Sequence, residues 1–175
     1  MPGNHPKESI QNTIFFNTKL LGEHVSIKQL YRIPKSVIKR DLEDTSVEIW
    51  QREWDTTNKG RITKDYFPKL AERLHAKIHL TQNFTTMITG HGNIKAYLYR
   101  FKIIEAPNCP RGNDNQTAEH ILLECEILKE DRERLIAAVA KTDNWPINKE
   151  MLIKKHYKAF AKFTKQLDKF KEMNS

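Results

Sequence analysis

The clearest pattern of apolar positions begins after Pro34, a residue that suits the first turn of a helix. Apolar or small side chains recur three and four residues apart on one predicted face, which comprises Ile38, Leu42, Thr45 and Ile49. Trp50 and Trp54 lie four residues apart beside this face, and Asn58 with Gly60 predicts the turn that ends the helix. At this spacing the tryptophan pair favours a place in the core, with a base-stacking platform as the alternative.

Two shorter helices are predicted next, after the ambiguous stretch RITKDYFPKL, which Pro68 interrupts. The first covers residues 81–89, with apolar side chains at Leu80, Phe84, Met87 and Ile88. Gly90 closes it, because glycine readily takes the left-handed conformation of a helix C-terminus. The second starts near Asn93 and is expected to bury Ile94, Tyr97, Leu98 and Phe101. His91, between two glycines, suits contact with phosphate, metal ligation, or a turn without a chemical role.

The C-terminal third of the chain carries two amphipathic patterns. EILKEDRERLIAAVA predicts a helix of mixed charge, and TDNWPIN predicts the loop that follows. A last helix is expected over residues 149–172, with an apolar face of Leu152, Ala159, Phe160, Phe163, Leu167 and Phe170. Eight lysines occupy most of its remaining surface. Helices of this kind bind nucleic acid, an anionic membrane or a partner protein. The alternative is a helix that docks on the core and leaves its lysines in solvent.

Together these patterns predict a mostly α fold, namely a small helical domain with a knuckle-like Cys/His loop and a long basic C-terminal helix. Residues 1–32 are polar and weakly patterned apart from TIFFNTKLL, and they suggest a linker or a degraded leader. The helical module is expected over residues 33–140, and the basic amphipathic helix over residues 141–175.

Composition narrows the classes of function. The 175-residue chain has a net charge of +8, with positive charge concentrated in residues 49–106 and 149–175 and an acidic stretch at 107–148. The basic stretches suit contact with phosphate, and solvated surface lysines are the alternative. No apolar run approaches the roughly 20 residues of a membrane span. The N-terminus lacks the pattern of a signal peptide, so we expect an intracellular protein, cytoplasmic or nuclear, with reduced cysteines and no membrane partner.

Both cysteines lie in the stretch CPRGNDNQTAEHILLEC. Cys109, His120 and Cys125 are donors that zinc prefers, and His120 and Cys125 are spaced as one ligand pair at a short helix capped by Thr117. Arg111 stands where a second ligand of the first pair is expected, and a guanidinium cannot donate electrons to a metal. The fourth ligand is then Asp114, His91 or water, and the alternative is two buried cysteines without a metal.

Three blocks along the chain carry a family resemblance. WQREWDTTNKGR, LTQNFTTMITGHGNIKAYLYRFKI, and CPRG followed by QTAEHILLECEILKEDRERL resemble, in order, the tail of the reverse transcriptase polyprotein of jockey-like non-LTR retrotransposons. The resemblance covers roughly residues 33–140. It implies a Cys-Cys-His-Cys zinc knuckle that helps to hold template RNA or target DNA. Cys109, His120 and Cys125 stand at three of the four ligand places of this knuckle. Arg111 stands at the fourth place and replaces a cysteine, which predicts a weakened zinc site.

The first residues, MPGNHPKE, resemble the end of the RNase H domain that precedes this tail, with Glu8 near the place of a catalytic carboxylate. RNase H chemistry uses two metal ions held by several carboxylates on a mixed sheet, and this sequence does not contain that sheet, so Glu8 receives no role. The sequence also lacks a Tyr-x-Asp-Asp polymerase motif and a phosphate-binding glycine loop. We therefore expect a chain that is not an enzyme in its own right and has no small-molecule substrate.

The leading hypothesis is a non-catalytic module that binds nucleic acid and positions RNA or target DNA. The candidate phosphate contacts are Lys59, Arg61, Lys64, Lys95, Arg100 and Lys102. One alternative is a structural module that binds a protein partner through its C-terminal helix. Another is the inert product of a decaying element.

Overall fold

The structure is a computed structural model that describes residues 33–173, with side chains described as far as Phe170. The predicted leader at 1–32, including TIFFNTKLL and the RNase H-like start with Glu8, lies outside the described residues. Residue contacts divide the chain into two compact units, Met1–Thr45 and Ser46–Ser175. The predicted mostly α fold is confirmed, and no strand occurs between residues 33 and 173.

Nine helices follow one another between residues 33 and 173, and the longest connection, residues 101–117, carries Cys109. They are α1 Lys35–Thr56, α2 Arg61–Tyr66, α3 Leu70–His75, α4 Gln82–Thr89, α5 Lys95–Arg100, α6 Ala118–Leu123, α7 Lys129–Val139, α8 Lys149–Thr164 and α9 Asp168–Met173. Short 3₁₀ turns at Glu126–Leu128 and Lys165–Leu167 precede α7 and α9.

Helix α4 begins and ends where its sequence predicts. The Thr81 hydroxyl accepts a hydrogen bond from the backbone N–H of Phe84 at 3.2 Å, which satisfies an N–H of the first turn that lacks a helical partner. Gly90 ends the helix with φ +69°, a conformation that costs glycine little. Between these caps, Phe84 and Met87 are fully buried, so α4 forms part of the core of the second unit.

The core of the second unit is built around α8, which packs against α2, α4 and α7. The Phe160 ring stacks on Tyr66 at 5.6 Å and meets the edge of Phe84 at 5.7 Å. The apolar face predicted for the last helix is confirmed: Leu152, Phe160, Phe163, Leu167 and Phe170 are buried, and Ala159 is partly buried. Burial of each phenylalanine contributes about 1.5–3 kcal/mol. This face therefore packs within the chain.

The segment predicted as one long C-terminal helix is helical but changes geometry at two places. His156 has non-helical angles, φ −119° and ψ 21°, in the middle of α8. Beside this kink, Asp143 Oδ2 lies 3.0 Å from His156 Nε2, and Asp143 Oδ1 accepts from Lys155 at 2.6 Å. The 3₁₀ turn Lys165–Leu167 then joins α8 to α9.

Two predictions of burial are wrong. Trp50 is 55% exposed, and no residue of α1 is buried. Within the second unit, the helix is held by Gln51, whose side chain donates to Pro68 O at 2.9 Å and accepts from Leu70 N at 2.8 Å. Trp54 is half-buried and donates its indole N–H to a backbone carbonyl. Phe101, expected in the core, is 52% exposed.

Candidate metal centre and basic surface

A closed loop places Cys109. An antiparallel bridge joins Asn108 and Asn115, and the backbone N–H of Cys109 donates to Asp114 O at 2.9 Å. The Asn108 side chain donates to Asn113 O at 2.6 Å. These bonds turn the chain back on itself, so that the side chain of Cys109 is only 3% exposed.

The second half of the site rests on α6. The Thr117 hydroxyl accepts from the backbone N–H of His120 at 3.0 Å, so the predicted N-cap is confirmed. Cys125 follows the helix, and its N–H donates to His120 O at 2.8 Å. The buried Arg132 guanidinium donates to Cys125 O at 2.8 Å. His120 and Cys125 are thereby fixed on the side of α6 that faces Cys109.

The structure brings together the three donors predicted from the sequence. Sγ of Cys109 and Sγ of Cys125 are 3.6 Å apart, and one ligand atom from each of Cys109, His120 and Cys125 lies within 4.8 Å of the others. Two thiolates on a tetrahedral zinc with Zn–S bonds of about 2.3 Å stand roughly 3.8 Å apart. The observed sulfur separation therefore fits a metal site.

His120 supports the same interpretation. It is 7% exposed, and neither ring nitrogen has a hydrogen-bond partner. Glu124 Oε2 lies 3.4 Å from Nδ1, but the hydrogen-bond geometry is absent, so we regard this as an electrostatic contact only. A buried polar group without a partner costs roughly 1–3 kcal/mol, and metal ligation removes that cost. The imidazole therefore suits a metal ligand.

Burial raises the pKa of the Cys125 thiol to about 11, and the neighbouring Cys109 also raises it. Backbone N–H groups of Ile127 and Leu128 act in the opposite direction. A metal ion bound here would displace the thiol proton, because thiolate is the ligand form of cysteine.

Two carboxylates lie near His120. Asp114, His120 and Glu124 offer three ligand atoms within 4.8 Å of one another. Arg111 is exposed, as its position in the loop predicts. The ring of His91 lies 4.8 Å from that of Tyr97, and His91 belongs to neither donor cluster among residues 33–173. Asp114 and Glu124 thus lie near His120, in a group of donors that does not include the two cysteines.

The six predicted phosphate contacts fall into two groups. Lys59, Arg61 and Lys64 surround the turn into α2, whereas Lys95, Arg100 and Lys102 lie on α5 and just beyond it. Lys64 is engaged in the fold, since its ammonium donates to Thr57 O and lies 5.6 Å from the Trp54 ring. The other five make no salt bridge with any residue that the structure describes. They are Lys59, Arg61, Lys95, Arg100 and Lys102.

Gln116 joins the loop closed by Asn108 and Asn115, which carries Cys109 and is called the metal loop below, to the second basic group. Sequence patterns do not reveal this role. It is 1% exposed, its side-chain oxygen accepts from Lys95 N at 3.1 Å, and its backbone oxygen accepts from Ala96 N at 3.2 Å. Both N–H groups belong to the first turn of α5, where no helical partner exists. The loop that carries Cys109 therefore also fixes the start of α5.

No helix within residues 33–173 combines the length and apolar character that crossing a bilayer requires.

Similarity to known proteins shows which kind of protein the chain is related to. The chain is similar to Pol polyproteins of R1 retrotransposable elements. One from Bradysia coprophila is 25% identical over 119 residues, covering 66% of this chain and 12% of that protein. One from Popillia japonica is 32% identical over 107 residues, 57% of this chain and 39% of that protein. One from Nasonia vitripennis is 30% identical over 95 residues, 53% of this chain and 24% of that protein.

These matches confirm the predicted relationship to a non-LTR retrotransposon polyprotein. The chain spans well under half the length of the curated relatives it matches. No family model matches it, and no solved structure does.

Proposed function

We propose that the chain is a non-catalytic nucleic-acid-binding module of a retrotransposon Pol polyprotein, which positions RNA or DNA. The observation that carries the proposal is a set of five cations that form no salt bridge within the described part of the chain. Lys59, Arg61, Lys95, Arg100 and Lys102 make no salt bridge with any residue between 33 and 173. Unpaired cations neutralise phosphates without first breaking an internal ion pair. The similarity to R1 Pol polyproteins supports the same class of ligand.

Cys109, His120 and Cys125 are proposed to hold zinc as a structural ion. Zinc would supply a cross-link between the loop and α6. The chain itself contributes Gln116, which passes the position of this loop to α5 through the N–H groups of Lys95 and Ala96. Asp114 or Glu124 is the proposed fourth donor, since their carboxylates lie near His120. In this arrangement the metal loop shapes a basic surface and takes no part in catalysis.

The test is the salt dependence of binding to a labelled oligonucleotide. Each neutralised phosphate contributes a slope of about 0.7–0.9 log units of affinity per log unit of salt. Arg100→Ala is expected to lower the slope by about one such step. Lys155→Ala is the matched control, because that lysine is paired with Asp143 at 2.6 Å. A binding curve that is flat between low and moderate salt would contradict the proposal.

A protein-interaction module is the second candidate, and the exposure of Trp50 favours it. This side chain is 55% exposed beside a groove that Glu53, Trp54 and Leu70 help to line. Exposed tryptophan is typical of protein interfaces. If the purified chain failed to bind oligonucleotides, and Trp50→Ala abolished capture of another Pol segment, this candidate would replace the first.

A further inference from the structure

Four planar side chains lie close together on α5, just beyond its C-terminal end and in the turn before it. The ring centroids of His91 and Tyr97 are 4.8 Å apart, and those of Tyr97 and Phe101 are 4.9 Å apart. The Arg100 guanidinium lies 5.0 Å from the Phe101 centroid. We call His91, Tyr97, Phe101 and Arg100 the α5 ladder. Its neighbouring rings are tilted, by 35° between His91 and Tyr97 and by 54° between Tyr97 and Phe101. Its outer member, Phe101, is 52% exposed.

The end of α5 turns this ladder toward solvent. Lys102 has φ +57°, its N–H donates to Tyr99 O at 2.9 Å, and Ile103 N donates to Leu98 O at 3.0 Å. This is the Schellman pattern of helix termination, in which the residue at the place of Ile103 usually packs back on the helix. Here Ile103 is 65% exposed. The turn therefore presents apolar surface to solvent.

Positive charge surrounds these rings. Lys95, Arg100 and Lys102 make no salt bridge with any residue that the structure describes, and Glu105 is the only acidic residue between positions 90 and 105. An exposed apolar patch rimmed by unpaired cations suits a ligand that has both flat apolar faces and negative charge. Bases and phosphates provide this combination.

We propose that the α5 ladder is a base-stacking platform for single-stranded nucleic acid, with Lys95 and Lys102 contacting the flanking phosphates. This inference rests on the proposed function and specifies where and in which form the nucleic acid binds. A duplex hides the faces of its bases within its own stack, so it offers Phe101 only a terminal pair. A single strand offers every base, and stacking on an aromatic side chain tolerates any sequence.

Neighbouring structure holds the platform in place. Gln116 fixes the first turn of α5 through Lys95 N and Ala96 N. At the other end of the ladder, Gly90 precedes His91 and lies against Ile62, so closely that a Cβ at Gly90 would collide with Ile62 Cδ1. That contact brings the chain next to Arg61 toward the turn that carries His91.

The experiment measures binding of the full chain to fluorescent oligonucleotides, with single-stranded RNA, single-stranded DNA and a blunt-ended duplex of two complementary strands as separate probes. The wild type is expected to prefer both single strands to the duplex. Phe101→Ala is expected to lower single-strand affinity about tenfold, with less than a twofold effect on the duplex. Phe101→Trp is expected to retain single-strand binding, because indole also stacks.

Leu74→Ala is the matched control, since Leu74 is 54% exposed, close to the 52% of Phe101, but lies on α3 outside the ladder and has no ring to stack on a base. The fold of each variant is checked by its melting curve. If Phe101→Ala binds single strands as the wild type does while Arg100→Ala does not, the stacking platform is refuted and the proposed function stands. Equal losses on the duplex would refute the preference for single strands. Absence of binding to every probe would refute both proposals.

Discussion

Lys102 occupies a backbone conformation that glycine adopts at much lower cost. Its φ of +57° places it at the left-handed position that ends α5. Lys102→Gly is expected to raise the free energy of unfolding by about 0.5–1 kcal/mol, the relief of left-handed strain less the added entropy of the unfolded chain. Urea denaturation measures this gain.

The same substitution is expected to weaken single-strand binding, because it removes a cation beside the ladder. Lys102→Ala is the control: it loses the same charge but keeps a Cβ in the left-handed conformation, so binding falls without a gain in stability. Such a result would show that Lys102 contributes to binding while it lowers the stability of the fold. No stabilisation by glycine would refute the account of strain.

Arg111 stands where the family resemblance places a fourth ligand of the proposed metal site. Arg111→Cys is expected to bind zinc more tightly than the wild type, because it restores a thiolate at a position that now holds no donor. Zinc content after dialysis against a graded chelator measures the difference, and the absorption of bound cobalt reports the number of thiolate ligands. Cys125→Ser should lose metal from both backgrounds. Equal retention in wild type and Arg111→Cys would show that the carboxylates already complete the site.

The candidate site was only partly predictable at the residue scale. Thr117, His120 and Cys125 belong to one short segment, so helix geometry and capping rules predict their arrangement. The approach of Cys109 depends on the bridge between Asn108 and Asn115, which has no periodic pattern. The unpartnered nitrogens of His120 are a property of its burial by the whole core, which the sequence does not display.

At the scale of elements, one carboxylate, that of Asp143, contacts α8 at its kink. Hydrogen bonds from Lys155, His156 and Thr142 lower the pKa of Asp143 to about 2 from an ordinary 3.8. A lowered pKa means that the native state favours the ionised form. The resulting stability is present above about pH 4 and is lost as pH falls through about 2.

Asp143→Asn is therefore expected to be less stable than the wild type at pH 5, with the difference shrinking as the pH falls toward 2. Thermal unfolding of both proteins across this range measures it. Asp44→Asn, an exposed substitution in α1, is the control for a change of net charge. A difference between Asp143→Asn and wild type that stays constant down to pH 2 would contradict the assignment.

Element prediction succeeded where apolar periodicity met a core and failed where it did not. The patterns of α4 and α8 are regular, and their apolar faces pack together. The stripe on α1 is equally regular, yet within the second unit the helix is held by the amide of Gln51 and the indole of Trp54. Periodicity identifies the face of a helix, but the partner of that face depends on residues distant in sequence.

At the scale of the molecule, positive charge is divided between the fold and the surface. Lys149, Lys154, Lys155 and Lys169 on the last two helices all contact carboxylates. Three of those carboxylates, Asp65, Glu72 and Asp131, belong to other helices. Half of the lysines in the lysine-rich C-terminal segment thus form ion pairs within the fold. The cations of α5 form no salt bridge with a described residue and can contact a ligand.

The two oxygens of Gln116 have a consequence for local opening of the structure. They accept from the amides of Lys95 and Ala96, so these two N–H groups exchange with solvent only when the contact with the metal loop breaks. The loop and the first turn of α5 therefore open as one cooperative unit, although they are separate in sequence. The protection of these two amides against hydrogen exchange therefore reports whether the loop that carries Cys109 is intact, although the amides themselves lie in the basic group on α5.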